Sequence, residues 1–154
     1  MRSAEVPRVH VLAVASAGGH WVQLRRLAPA FAGARLSWLS TRHELARDLD
    51  APLHVVRDAN LWQKLALVRM FVEVLWVLLR VRPDVVVTTG AAPGFAAVVW
   101  GRLLGARTIW IDSIANSETL STSGAKSGRF AHVWLTQWEH LARPDGPAYW
   151  GAVL

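Results

Sequence analysis

The sequence predicts an α/β protein with a doubly wound, mostly parallel sheet. Three observations predict it: apolar β-branched runs recur along the chain, segments of helical spacing lie between them, and small-residue turns join strand to helix. Strands alternating with helices are joined by right-handed parallel crossovers, and ligands of such sheets sit beyond the carboxyl ends of the strands. The 154 residues read as a single domain, 1–154, without internal repeat or linker, and that length suffices for a sizeable core.

Val9 to Ala15 is the first strand, ended by Ser16-Ala17-Gly18-Gly19. Trp21 to Phe31 follows with helical spacing through Leu24, Leu27, Ala28 and Phe31. Leu36 to Ser40 is a second strand, Glu44 to Leu49 a helical turn, and Leu53 to Val56 a third strand. Leu61 to Val81 is a long helix whose charged residues Arg69, Glu73 and Arg80 share one stripe while nearly everything else is apolar. Such a helix needs a second apolar environment, either a core on both sides or a membrane or partner. Trp62, Lys64, Trp76, Arg80 and Arg82 near its ends favour the surface.

Val85 to Thr88 is a continuous β-branched run of the kind buried on both faces of a parallel sheet. Gly90-Ala91-Ala92-Pro93-Gly94 reads as a loop before a helix from Phe95 to Leu104, which Gly105 closes. Thr108 to Asp112 is another strand, followed by a loop from Ser113 to Gly128. His132 to Thr136 is the last strand and Gln137 to Leu141 a short helix. The turns at 16–20, 88–94, 112–128 and 136–138 should then share one rim.

Composition narrows the function. The absence of cysteine removes disulfides, thiolate ligands and a thiol nucleophile, and is compatible with a reducing cytoplasm. The polar start from Met1 to Arg8 gives no signal peptide, and Val85 to Gly101, though weakly polar, is interrupted by Thr88-Thr89-Gly90 and Pro93-Gly94, so no transmembrane helix is expected. Lys and Arg number 17 against 11 Asp and Glu, and there are nine tryptophans. The charge points to nucleic acid, anionic lipid or a phosphorylated substrate; tryptophan suits a membrane interface, a sugar platform or simply a core. No nucleic-acid motif is present.

The chemistry-bearing residues cluster at the turns. Gly18 and Gly19 join a strand to a helix N-terminus, where free N–H groups and the helix dipole favour an anion. His20, in the first turn of that helix, offers a proton acceptor near neutral pH or, when charged, a phosphate contact. Thr89 and Gly90 belong to a second small-residue turn able to donate to phosphate or sugar, or merely to pack strand on helix. Asp112 closes a strand on the same rim, as a proton acceptor or a turn cap. Glu118, Lys126 and Arg129 lie in the long loop, solvated or, for the two cations, ordered by a diphosphate.

G-x-G-x-x-G is absent, and the second strand ends in Ser40-Thr41-Arg42 without a ribose-binding acid, which disfavours NAD; Arg42 leaves a small NADP binder as the remaining nucleotide reading. A Walker loop, a nucleophile elbow and zinc-type histidine spacing are also missing, so neither cofactor nor metal is expected.

Ser16-Ala17-Gly18-Gly19-His20 with Gln23-Leu24, Thr88-Thr89-Gly90 with Pro93-Gly94, Trp110 to Asn116, Leu120-Ser121 with Ser123-Gly124, and Leu135 to Trp138 together resemble one family. It is the acceptor-side, membrane-associated subunit of the two-subunit N-acetylglucosaminyltransferase of dolichol-linked oligosaccharide assembly, with bacterial exopolysaccharide and capsule counterparts of the PssD/CpsF type. The chain is similar also to the amino-terminal half of MurG. The resemblance covers nearly the whole chain and implies a Rossmann-like half of a GT-B glycosyltransferase. A separate donor-binding subunit would supply the UDP-sugar site, since nothing after Thr136 is long enough to form one, and the chain alone would be inactive.

Carried over to matching positions, Gly18, Gly19, Thr89 and Gly90 become contacts of a polyprenyl-diphosphate-linked sugar, with His20 and then Asp112 as catalytic candidates. The eukaryotic subunit has an amino-terminal anchor that this sequence lacks, so membrane contact is expected to be peripheral, on the inner face of the plasma membrane. Trp62, Leu75 and Trp76, aided by Arg25 and Arg26, would make it. The competing reading is a non-catalytic membrane scaffold that recruits the catalytic partner.

Overall fold

The computed structural model describes residues 8–153, so the stretch at 1–7, read above as no signal peptide, lies outside the described residues. The strands are β1 (His10–Ala15), β2 (Arg35–Ser40), β3 (Leu53–Val55), β4 (Val85–Gly90), β5 (Arg107–Ile111), β6 (Val133–Thr136) and β7 (Ala148–Tyr149). They form one sheet in the order β3-β2-β1-β4-β5-β6-β7, and every pair is parallel. This is the Rossmann-like α/β arrangement the sequence pattern predicts. β7 is the exception: two exposed residues at the sheet edge, without an apolar run to announce them.

Four helices connect the strands: α1 (Gly19–Arg26), α2 (Lys64–Val81), α3 (Ala91–Leu103) and α4 (Thr122–Ser127). α1 is shorter than its apolar spacing suggests and continues as a 3-10 turn over Ala28–Phe31, because Pro29 lacks an N–H and disfavours helical backbone before it. α2 begins at Lys64, not Leu61: the Asn60 carboxamide oxygen accepts from the N–H groups of Trp62 and Gln63 and holds that stretch as a turn. It ends at Arg82, whose φ of 48° is left-handed, with Pro83 behind it. The long loop after β5 contains α4, capped by the Ser121 hydroxyl, which accepts from Gly124 N–H at 2.8 Å.

The largest departure concerns residues 90–94, which are not a loop. α3 starts at Ala91, with Pro93 in its first turn where a missing N–H costs nothing. Gly94 serves packing: a β-carbon there would collide with Thr88 Oγ1.

β1 explains the continuous apolar run at its core. Leu12 and Val14 face one cluster with Leu39, Met70, Val74, Leu78, Val86 and Ala96, beneath α2 and α3; Ala13 and Ala15 face the other with Trp21, Leu24 and Trp38, beneath α1. The tryptophans divide between core and surface. Trp21, Trp38 and Trp110 are buried, while Trp62 and Trp76 are 92% and 63% exposed.

α2 has two apolar faces. Met70, Val74 and Leu78 point into the core, and Leu65, Val68, Val72, Trp76 and Leu79 form an exposed stripe at helical spacing. Leu75 is half-buried, because its angle on the helix lies between the two faces; the outer stripe is carried by its neighbours. Arg25 and Arg26 are not on this surface. They sit at the end of α1, on the opposite side of the sheet, where the Arg25 guanidinium stacks 5.5 Å from the Trp38 ring and donates to the Asp48 carbonyl. Glu73, midway along α2, ties that helix to Arg57 in the segment after β3. Burial alone would raise its carboxyl pKa, but hydrogen bonds from Arg57 backbone and side chain, the latter at 2.7 Å, hold it below the usual range.

Burial, reinforced by neighbouring arginines, lowers the pKa of three histidines. His10 is buried with its Nε2 2.8 Å from Ser37 Oγ; burial first, then Arg35 and more weakly His54, lower its pKa against the opposing pull of Asp84. Burial and Arg80 do the same to His54, and burial, Arg102 and Arg107 to His132. Each folded value lies below the unfolded one of about 6.5, so the unfolded chain binds protons first. The stabilisation is therefore complete above about pH 6.5 and is lost as pH falls through the folded values. The melting temperature should be lower at about pH 5 than at about pH 7, and the difference smaller in His10→Gln; equal slopes would remove His10 as a cause.

Candidate functional site

The turns following β1, β4, β5 and β6 do meet on the carboxyl rim of the sheet, tied by side chains that cross between them. His20 Nδ1 lies 3.0 Å from the Thr89 carbonyl, and Thr89 Oγ1 donates back to the His20 carbonyl at 2.6 Å. A carbonyl only accepts, so Nδ1 carries the proton. In neutral His20 the lone pair is thereby fixed on Nε2, which no described protein group occupies.

The backbone around this pair is unusual. Gly18 precedes α1 with φ 90°, and Gly90 precedes α3 with φ 126°, the second followed by Ala91 at φ 66°. Neither helix has a side-chain cap or an acidic residue in its first turn. Left-handed geometry is open to glycine but strained for alanine, and such strain collects at functional sites. A β-carbon at Gly90 would approach His20 Nδ1 to 3.0 Å, so the glycine is what lets the imidazole lie against β4. Two helix N-termini, each with unsatisfied N–H groups and the positive end of its dipole, are thus held side by side through His20 and Thr89.

Asp112 has a different part. It is 1% exposed, and its two oxygens accept from Trp110 Nε1 (3.1 Å), Asn116 Nδ2 (3.2 Å), Ser121 N (3.0 Å) and Ser121 Oγ (2.6 Å). Four donors fill a carboxylate's acceptor positions and leave none for a substrate hydroxyl. These bonds fold the 113–121 loop onto β5. Gly124 belongs to the same arrangement, since a β-carbon there would run into Asp112 Oδ1.

Composition and motif reading did not assign roles to Gln23 and Gln137. Gln23, buried in α1 three residues after His20, donates to Ser113 Oγ at 3.0 Å and accepts from Ile114 N at 3.1 Å. Gln137 Nε2 reaches both Gln23 Oε1 (2.7 Å) and the Asp112 carbonyl (2.9 Å), and its oxygen accepts from Val153 N at 2.8 Å. The visible signal was a glutamine at an inward position of α1, between Trp21 and Leu24, where only a paired polar group is tolerated. These bonds fix the helix that carries His20 to the ends of β5 and β6.

Of the remaining loop residues, Lys126 is in α4, Arg129 follows it, and Glu118 is exposed away from His20's contacts. Among the described residues no group of three or more His, Cys, Asp or Glu side chains is arranged to hold a metal, and no helix is long and apolar enough to cross a membrane.

No protein-family model matches the chain. Over 78 residues it is 32% identical to the UDP-N-acetylglucosamine transferase subunit ALG14 of Eremothecium gossypii, an alignment covering 47% of this chain and 35% of that protein. The fold is similar to the crystal structure of Acinetobacter baumannii MurG, with a TM-score of 0.77 at 17% identity over 92% of this chain and 45% of that one. It is also similar to a UDP-N-acetylglucosamine 2-epimerase from Methanocaldococcus jannaschii, with a TM-score of 0.61 at 14% identity over 83% and 39%. The chain thus spans about a third of the curated relative's length and under half of these structures. At such identities the structural likeness establishes the fold, that of one half of a GT-B glycosyltransferase, and the sequence similarity relates the chain to glycosyltransferases.

Proposed function

We propose that this chain is the acceptor-binding subunit of a two-subunit GT-B glycosyltransferase. It binds a polyprenyl-diphosphate-linked sugar, and a separate donor-binding subunit brings the UDP-sugar. The observation that carries the reading is the His20–Thr89 contact, which joins two glycine-initiated helix N-termini and engages Nδ1, leaving Nε2 without a partner among the described residues. Paired N-termini suit the two phosphates of a diphosphate, through the N–H groups after Gly18 and after Gly90. Nε2 then has the character of a general base for the acceptor hydroxyl. The partner is supported by the similarity to ALG14, which is itself described as a transferase subunit.

The measurement is transfer from UDP-sugar by the chain co-expressed with its donor-binding partner. His20→Ala should lower kcat by roughly a hundredfold or more while the complex still co-purifies. Unchanged turnover in an intact complex would instead favour a scaffold whose partner holds all the chemistry. Tight binding of a UDP-sugar by the isolated chain would overturn the division of labour.

The exposed stripe of α2 is assigned to the membrane surface. Leu65, Val68, Val72, Trp76 and Leu79, together with Trp62 before the helix, give an apolar strip that Lys64, Arg69 and Arg80 border with positive charge, as an anionic bilayer interface requires. Wild-type protein should float with anionic liposomes and Val72→Glu should not; equal flotation would discard this role.

A further inference from the structure

A second feature of the same rim lies on the far side of α3 from His20. Leu61, Leu67 and Phe71 on the α2 side, Ala92 and Phe95 of α3, and Thr122, Ser123 and Lys126 of α4 enclose an apolar groove of about 170 Å³. Two of the lining residues are aromatic: Phe71 and Phe95 stack edge to face with centroids 6.2 Å apart, and Phe95 is backed in turn by Phe130, outside the groove, at 6.1 Å. Ala92 is two residues beyond Gly90, so the first turn of α3 meets His20 on one side and the groove on the other. At its outer end Leu61 is exposed beside Trp62, where the apolar strip of α2 starts. Lys126 is the one cation lining the groove, and among the described residues the ion pair found is Arg57–Glu73, which leaves that ammonium without a carboxylate.

We infer that this groove holds the isoprene unit nearest the diphosphate of the lipid-linked acceptor, with Lys126 at the phosphate end. The inference rests on the acceptor reading above and adds to it a chain-recognition site. Size supports this occupant, because a cavity of roughly 150 Å³ accepts a benzene-sized apolar molecule, close to a five-carbon branched unit. Continuity supports it as well. An isoprenoid lying in the groove is followed outward by Leu61 and the α2 strip, and inward by the two helix N-termini, so one molecule passes from bilayer to reaction rim without exposing its chain. Charge sets the direction, since a neutral lipid tail has no use for the ammonium and a prenyl phosphate does.

The test is titration of the full chain with farnesyl diphosphate, inorganic pyrophosphate and farnesol, followed by tryptophan fluorescence. Farnesyl diphosphate should bind at least roughly tenfold tighter than pyrophosphate, in line with the worth of a few methylenes in an apolar pocket. Ser123→Trp, which fills the groove from α4, should erase that advantage and leave pyrophosphate affinity unchanged. Lys126→Glu, a surface change that spares the packing, should weaken farnesyl diphosphate and not farnesol. Equal affinities for farnesyl diphosphate and pyrophosphate, or a Ser123→Trp protein that still prefers the prenyl compound, would overturn the groove while the diphosphate reading stands. Failure of both diphosphates to bind would overturn the acceptor reading itself.

Discussion

Asp112→Ala should lower stability by about 3–5 kcal/mol, because it strands buried donors from Trp110, Asn116 and Ser121 at about 1–3 kcal/mol for each group left unsatisfied. For a chain of this size that is a drop of about 10 °C or more in melting temperature. The loss should be local before it is global. Hydrogen exchange at residues 113–121 should accelerate most, since Ser121 N and the Asn116 carboxamide reach the body of the protein through this carboxylate. A variant that melts like wild type and loses only turnover would return Asp112 to proton transfer.

Gly90→Ala is the second large effect, and it separates the rim's geometry from its chemistry. The φ of 126° costs about 1–3 kcal/mol for any residue with a β-carbon. That carbon would also press on His20 Nδ1 at 3.0 Å and push the ring off the Thr89 carbonyl. The proton then distributes between both ring nitrogens, a change that nitrogen NMR of His20 reads directly. Transfer by the complex should fall by roughly tenfold or more. An unaltered tautomer in Gly90→Ala would show that Thr89 does not set it.

The parallel sheet was legible because its strands are buried on both faces and so are written as unbroken β-branched runs, as at Val85 to Val87. Boundaries were less so, for reasons that lie in single side chains. Asn60 diverts the backbone before α2, and Pro93 reads as an interruption although it occupies a helical first turn. β7 escaped because its two residues are exposed and draw their order from β6 rather than from their own composition. At the rim, glycines and a histidine were visible as types, but the bond from His20 to Thr89 spans 69 positions and depends on β1 and β4 being neighbours. The structural part of Asp112 was hidden for the same reason: the donors of the loop that wraps a carboxylate after a strand are not visible until that loop is in place.

The all-parallel sheet also governs how the chain is made. β1 pairs with β2 soon after synthesis, but its other neighbour, β4, begins 74 residues further on at the level of His10 and Asp84. Until α2 and β4 have emerged, a six-residue strand buried on both faces in the finished protein has one open edge and one uncovered face. Translation therefore passes through an interval in which the most apolar strand is the least protected, and synthesis rate and chaperone supply should bear on yield more strongly than the final stability does.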